Sequence, residues 1–363
     1  MNSTKKVSMK DIAKELNISI TTVSFVINGK SEQKGISVAT SNKVRELIKK
    51  RGFNPNSAAR MLRTGKSKTI GLIVEDIGNY FFGNIAKIIE VEANKNGYNV
   101  FYSSTENNDN TAIELINKMR NSSVDGYIIT ATQGIKEEIL KLKKENIPFV
   151  LIDRLIPDVE TNYVILDNYS GSYDLTTHLL DNGYSNIGFI SIVSEMSMMT
   201  EREKGFSNAL IDAQNNKLRS KILKVGFSDS HQQIIASIQS FVMDNPELDA
   251  IFFATNYLGV IGIEALQKCH LNIPLDIAIV SFDDNDLFRL LTPSITVAAQ
   301  PINEIATASI NLLLKSINKE LRPSHTTGEV IKPVIIVRNS SPKKSNTKSN
   351  RLAKSSQATA VVI

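Results

Sequence analysis

Two successive sets of apolar runs, separated by amphipathic helical stretches, constrain this 363-residue chain more than any other feature. The first set is TIGLIV (69–74), NVFYSS (99–104), DGYIIT (125–130) and PFVLID (148–153), with helical segments around 83–96, 110–121 and 135–146. The second is NIGFISI (186–192), SKILKV (220–225), AIFFAT (250–255) and IAIVSF (277–282), with helices around 169–182, 201–214, 230–243 and 258–269. Near-continuous apolar runs bounded by helices indicate parallel strands covered on both faces and joined by right-handed crossovers. An α/β body over 69–338 is therefore expected, built from two doubly wound parallel-sheet subdomains. The first takes about 69–166 and 298–325, the second about 167–297 and 326–338. Residues 295–317 add a strand and a helix, and VIKPVIIVR (330–338) reads as one closing strand.

Before the body, residues 1–53 follow a different rhythm. Ser8 and Asp11 open a helix with a capping box that uses a short carboxylate in place of Glu. Met9, Ile12, Ala13 and Leu16 share one face at spacings of three and four. Asn17 suits the left-handed end of that helix, and Ser19 caps a second one whose inner face is Val23, Val26 and Ile27. Two such helices cannot bury both faces alone, so a third, with Val44, Leu47, Ile48 and Phe53, closes the core between Ser37 and Gly52. This is an all-α helix-turn-helix head. Its second helix turns Ile20, Thr21, Thr22, Ser24 and Phe25 outward, and short hydroxyl side chains near a helix N-terminus suit a DNA major groove. A plain three-helix bundle with a polar face has the same pattern, and charge separates the two readings. Residues 1–68 hold 15 Lys and Arg against 4 Asp and Glu, a net of +11, whereas 69–338 hold 22 against 33, a net of −11. A basic head on an acidic body is the footprint of a polyanion partner.

Residues 54–68 join the two. Asn54 and Pro55 are good N-cap and first-turn residues, and about two turns of helix fit before Gly65. One reading is a basic linker. The other is a hinge helix, marginal alone, that orders on DNA and pushes an apolar wedge into the minor groove. Residues 339–363 carry five cations and no acid and read as a disordered basic tail. No leucine heptad is present there to drive higher assembly.

The whole chain excludes several classes. One cysteine, Cys269, rules out an internal disulfide framework and fits a reducing cytosol. With no other Cys/His cluster beside Cys269-His270, no metal site is expected. The N-terminus lacks a signal-peptide apolar core and no stretch approaches a membrane span, so a cytoplasmic protein is expected. No Walker loop, Rossmann glycine fingerprint or nucleophile arrangement around the four histidines supports catalysis or a cofactor.

Four motifs then give the chain a family resemblance over residues 7 to about 338. They are D-I-A-x-x-L-x-I-S-x-x-T-V-S at 11–24, F-N-P-N-S-A-A-R-M-L at 53–62, IGLIVEDIGNYFF at 70–82, and the scattered VLIDR, REKGF, FFATN, VSFDD and AAQP. The chain resembles the LacI/GalR transcriptional regulators. The resemblance implies a homodimer on a near-palindromic DNA operator and a periplasmic-binding-protein-like body closing around a small effector, often a sugar or sugar derivative. Residue by residue, it places Ile20, Thr21 and Ser24 at base-contacting positions and Thr22 at a backbone-contacting one. Leu62 matches the hinge wedge, with Ala58 and Ala59 on the same minor-groove face. Arg202, Asn256 and Asp283 match polar effector-binding residues, and Asp153, Tyr80 and Phe81 the opposite wall. Phe25 stands where the family commonly has arginine, Tyr257 where Asp is common, and the loop between Asn28 and Ile36 is about three residues longer.

Each body position also has a plainer reading. Asp283, at the end of an apolar strand, lies where doubly wound folds bind ligands, and it could equally cap the next helix. Arg202 offers a bidentate fork, or is a surface arginine at a helix start. Tyr80 and Phe81 could be core. A sugar-binding protein without a regulatory role would share the body, but not the head.

Overall fold

The computed structural model describes residues 7–53, 61, 65–194, 196–226, 228–320 and 326–344. It divides into two compact units, Met1–Ser67 and Lys68–Ile363. Positions 54–60 and 62–64 lie outside the described residues, and with them Ala58, Ala59, Leu62 and the choice between linker and hinge helix.

The first unit holds α1 (Met9–Glu15), α2 (Ile20–Ile27) and α3 (Val38–Arg51). The capping box at Ser8 forms as read: its hydroxyl accepts from the Asp11 amide, and its own amide donates to the Asp11 carboxylate at 2.8 Å. Asn17 takes the left-handed backbone (φ 51°) that ends α1 and aims the chain at α2. Ser19 caps α2 by accepting from the Thr22 amide, and Ser37 caps α3 by accepting from that of Thr40. Ile12, Ala13, Val23, Val26, Val44, Leu47 and Phe53 meet in one core. Each of these Val, Leu, Ile and Phe side chains contributes about 1.5–3 kcal/mol on burial, which holds three short helices together. The long loop between α2 and α3 folds into a single 3₁₀ turn, Glu32–Lys34, closed by Gly35 at φ 64°.

The second unit contains two six-stranded sheets. The first is made of β1 (Thr69–Val74), β2 (Asn99–Ser104), β3 (Gly126–Thr130), β4 (Phe149–Ile152), β5 (Tyr163–Leu166) and β11 (Gly328–Ile331), in the order β11-β5-β4-β3-β1-β2 and all parallel. Its helices are α4 (Tyr80–Lys95), α5 (Asp109–Asn121), α6 (Lys136–Lys144) and α12 (Ile302–Ile317), the last packed on α4. The second sheet is β6 (Asn186–Ile192), β7 (Arg219–Val225), β8 (Ala250–Phe253), β9 (Ala278–Phe282), β10 (Thr296–Ala299) and β12 (Val334–Ile336), in the order β12-β10-β9-β8-β6-β7. With it go α7 (Asn168–Asp181), α8 (Ser197–Asp212), α9 (His231–Asp244), α10 (Asn256–Lys268) and the short α11 (Asp286–Leu290). Gly205 lets α8 lie directly on α7, because a Cβ there would collide with the Tyr169 carbonyl oxygen. Central strands β1, β3, β4, β8 and β9 are buried along their whole length, as their continuous apolar sequences require.

The chain passes between the sheets three times, at 167, at 300–301 and at 332–333. The third crossing corrects the sequence reading. Val330–Arg338 is not one closing strand of the second subdomain. Gly328–Ile331 extends the first sheet beside β5, and only Val334–Ile336 joins the second, antiparallel to β10. Pro333 has no amide hydrogen to continue a ladder, so the break falls there. Strand β10 likewise stays wholly in the second sheet up to Ala299, past the expected boundary at 298.

The tail is also corrected over its first six residues. Asn339–Lys344 packs as a strap under the second sheet, with Ser340 and Ser341 fully buried. The Ser340 hydroxyl donates to the Ile279 carbonyl at 2.7 Å and accepts from the Thr296 amide at 2.9 Å. The Ser341 hydroxyl meets Thr296 Oγ1 and His178 Nε2, and the Tyr184 hydroxyl donates to the Pro342 carbonyl. Lys344 then pairs with Asp249 at 2.6 Å. Positions 345–363 lie outside the described residues.

Candidate functional site

In the body, two strands end in the same way. Asp153 follows β4 and Asp283 follows β9, both in the left-handed conformation, φ 67° and 64°. That turn lifts each carboxyl off its sheet at the carboxyl ends of the strands, where open α/β sheets bind ligands. A cavity of about 340 Å³ opens there. Tyr80 and Phe81, in the first turn of α4, line it from the first sheet, and Asn256, Asp283 and Asp284 from the second. The crossing segment from Ala299 to Glu304 forms the remaining wall.

Arg202, one turn into α8, is 2% exposed, which excludes the surface-arginine reading. Its Nη1 donates to Asp283 Oδ2 at 3.1 Å and to the Ala254 carbonyl at 2.7 Å, and its Nε to Asn168 Oδ1 at 2.9 Å. The guanidinium lies over the Phe282 ring, 3.7 Å from its centroid. Gln300 donates to the other Asp283 oxygen at 2.6 Å. Asp283 is therefore the hub of a buried network and not a helix cap, a role Asn285 fills for α11. Beside it, Asp284 takes both Nη groups of Arg338, at 2.9 and 2.6 Å, and its carbonyl accepts from Asn256 Nδ2 at 3.1 Å.

On the facing wall, burial pushes the Asp153 carboxyl up to about 7, an effect Arg202 opposes and Asp283 reinforces. The Asp153 side chain is therefore within electrostatic reach of the pair across the cleft. Arg154, beside it, is buried on Glu75 and Asn107, with its Nε 3.2 Å from the Asp153 carboxyl. Of the six body residues singled out by sequence, Tyr80, Phe81, Asn256 and Asp283 share the cavity, Arg202 lies behind Asp283, and Asp153 faces the pair. Phe81 also packs on the core, and Phe82 is core outright. Gln300, Asn168 and Arg338 escape the sequence reading, and Asp284, in the VSFDD motif, reads there as a helix cap and not as part of the site. Gln300 stands in the AAQP motif that carried the resemblance, the one signal that pointed to it. A second cavity of about 410 Å³ lies between Asn107, Asp109, Thr132 and Gln133 on the side of the first sheet and Val193, Ser194, Met196 and Lys224 on that of the second.

In the head, Ile20 and Thr21 are exposed at the start of α2, and Thr22, Ser24 and Phe25 are partly so. The Thr22 hydroxyl is engaged 2.8 Å from that of Ser19, and Asn28 donates to the Ser24 carbonyl and hydroxyl. Lys34 from the long loop sits over the Phe25 ring, 5.5 Å from its centroid. Sequence alone did not pair those two.

Among the described residues, no group of His, Cys, Asp or Glu is arranged to hold a metal ion. Nor is any helix there long and apolar enough to cross a membrane.

A helix-turn-helix head with an exposed recognition face, joined to a two-sheet body with a polar cleft, defines a ligand-responsive DNA-binding regulator. Residues 8–56 match the bacterial regulatory proteins of the lacI family, and 67–334 match the periplasmic binding proteins and sugar binding domain of the LacI family. The chain belongs to the LacI family; it is a transcriptional regulator and not an enzyme. Catabolite control protein A of Priestia megaterium is 30% identical over 315 residues, covering 86% of this chain and 93% of that one. The ribose operon repressor of Haemophilus influenzae is 27% identical, covering 92% and 98%. Among solved structures, a LacI-family regulator from Enterococcus faecium with bound ribose is 25% identical with a TM-score of 0.66, covering 76% and 100%. The lac repressor dimer bound to operator and an anti-inducer shares the fold at 19% identity, with a TM-score of 0.78 over 93% and 100%.

Proposed function

We propose that this regulator is a repressor that acts in the cytoplasm, binding a near-palindromic operator as a homodimer and releasing or gripping it as a small carbohydrate effector fills the cleft of the body. The observation that carries this reading is the buried Arg202–Asp283 pair, with Asn256 and the aromatics Tyr80 and Phe81 around an open cavity between two sheets. Such a site can bind sugar hydroxyls through carboxylate and amide groups and stack a sugar face on a ring. Asp153 closes on the ligand from the other side.

In the head, Thr21 and Ser24 read base edges, Ile20 makes apolar contact, and Phe25 replaces a polar contact with an apolar one. Thr22 contacts the phosphate backbone. Residues 54–68 carry the hinge, with Ala58 and Ala59 against the minor groove and Leu62 as its wedge. That segment leads straight into β1, so a rotation of one subdomain on the other reaches the DNA through chain connectivity. A sugar-binding role without regulation leaves the basic head unexplained.

Selection of bound duplexes from a random pool tests the reading. Recovery of one half-site repeated in inverted orientation is the expected result. Recovery without sequence preference contradicts it.

A further inference from the structure

The cations around the cleft are already committed. Arg202 is shared among Asp283, the Ala254 carbonyl and Asn168, and lies over the Phe282 ring. Arg338 spends its fork on both oxygens of Asp284 and on the Ile295 carbonyl. Arg154 is taken by Glu75, by Asn107 and, through its Nε at 3.2 Å, by Asp153, and Lys224, in the second cavity, by Glu203 at 2.7 Å. The described lining of the first cavity includes three carboxylates, Asp283, Asp284 and Glu304, and no Lys, Arg or His.

Anion sites work through arginine forks or ammonium groups free to turn to the ligand. Here a phosphate or carboxylate would have to draw an arginine off its partner and strand a buried carboxylate, or else enter beside like charge. Uncharged hydroxyls meet no such obstacle. They donate to the spare lone pairs of Asp283 and Asp284 and accept from the amides of Asn256, Gln300 and Asn303.

We propose that the effector is an uncharged polyhydroxylated sugar and that this cleft rejects sugars carrying a phosphate or carboxylate. The inference rests on the effector reading above. Sugar phosphates and sugar acids are the alternatives it excludes.

Isothermal titration of the full-length protein with matched sets tests it: ribose against ribose 5-phosphate, and glucose against glucose 6-phosphate and glucuronate, with cellobiose as a larger neutral probe. At least one neutral sugar should bind, with its anionic counterpart at least tenfold weaker. An anionic member binding as tightly as its neutral partner overturns the inference and leaves the sugar-effector reading standing. Silence from every sugar removes that reading itself and the inference with it. The exposed Glu304→Lys variant supplies the missing free cation, so an anionic sugar should gain at least tenfold relative to its neutral partner. Equal change in both would overturn the charge argument.

Discussion

Arg202 and Asp283 meet side by side at the base of the cleft, Nη1 to Oδ2 at 3.1 Å and Nη2 to Oδ1 at 3.4 Å, with the arginine 2% exposed. Neither residue can be changed without consequence for the other. Asp283→Ala leaves a buried guanidinium with one partner fewer, a loss worth about 3–5 kcal/mol for such pairs. Urea unfolding of the variant should show a loss of that order, and Asp284→Ala, beside the more exposed Arg338 fork, a smaller one. Equal, negligible losses in both would mean that the pair is not the hub described here. Effector binding by Asp283→Ala should also fail, so a ligand defect must be read at temperatures where the variant is folded.

A pH dependence follows from the opposite wall. The Asp153 carboxyl is raised from 3.8 to about 7, so the folded state holds its proton over a range where the unfolded chain has lost it. Stability from this residue is therefore highest near pH 4, declines as pH rises to about 7, and is level above that. Asp153→Asn, neutral at every pH, should match the parent in acid and exceed it increasingly up to about pH 7. Paired denaturation curves at pH 5, 6, 7 and 8 check this; a difference independent of pH would contradict it.

The strap under the second sheet makes a prediction that composition opposes. A chain ending at Arg338 loses the Ser340 and Ser341 hydroxyl network and the Lys344–Asp249 pair. Each lost hydrogen bond contributes about 0.5–1.5 kcal/mol, so the truncated protein should melt several degrees lower than a chain ending at Lys344. Identical melting points would show the strap to be dispensable.

The strap also shows where reading the sequence ran out. Ser, Lys and Asn from 339 onward look like any polar tail, and only the backbone groups they meet on β9 and β10 give them a place. Strand β5 escaped for a different reason: Tyr163–Leu166 is as short and as continuously apolar as Phe149–Ile152, but no helix separates the two, so the alternation of strand and helix passes over it. The split at Lys332-Pro333 was visible as a proline but not as a change of sheet. By contrast, the head was legible to the residue, because Ser8, Asn17, Ser19, Ser37 and Gly52 each end or begin a helix by local chemistry. Of the cleft, motif positions gave Asn256, Asp283 and Arg202. They did not show that Arg202 is already spent on protein acceptors, since that depends on Asn168 and Ala254, far away in sequence.

A regulator gated by its effector must couple cleft to operator, and coupling between two sites is reciprocal. The most direct measurement is a four-sided cycle on one preparation: operator affinity with and without the neutral sugar that binds, and affinity for that sugar with and without operator. Both ratios should differ from one by the same factor, severalfold or more, corresponding to about 1–3 kcal/mol. Asn256→Ala, which touches the cleft, should weaken the sugar while leaving operator affinity without sugar unchanged. A sugar that binds the cleft and leaves operator affinity unaltered would contradict the claim.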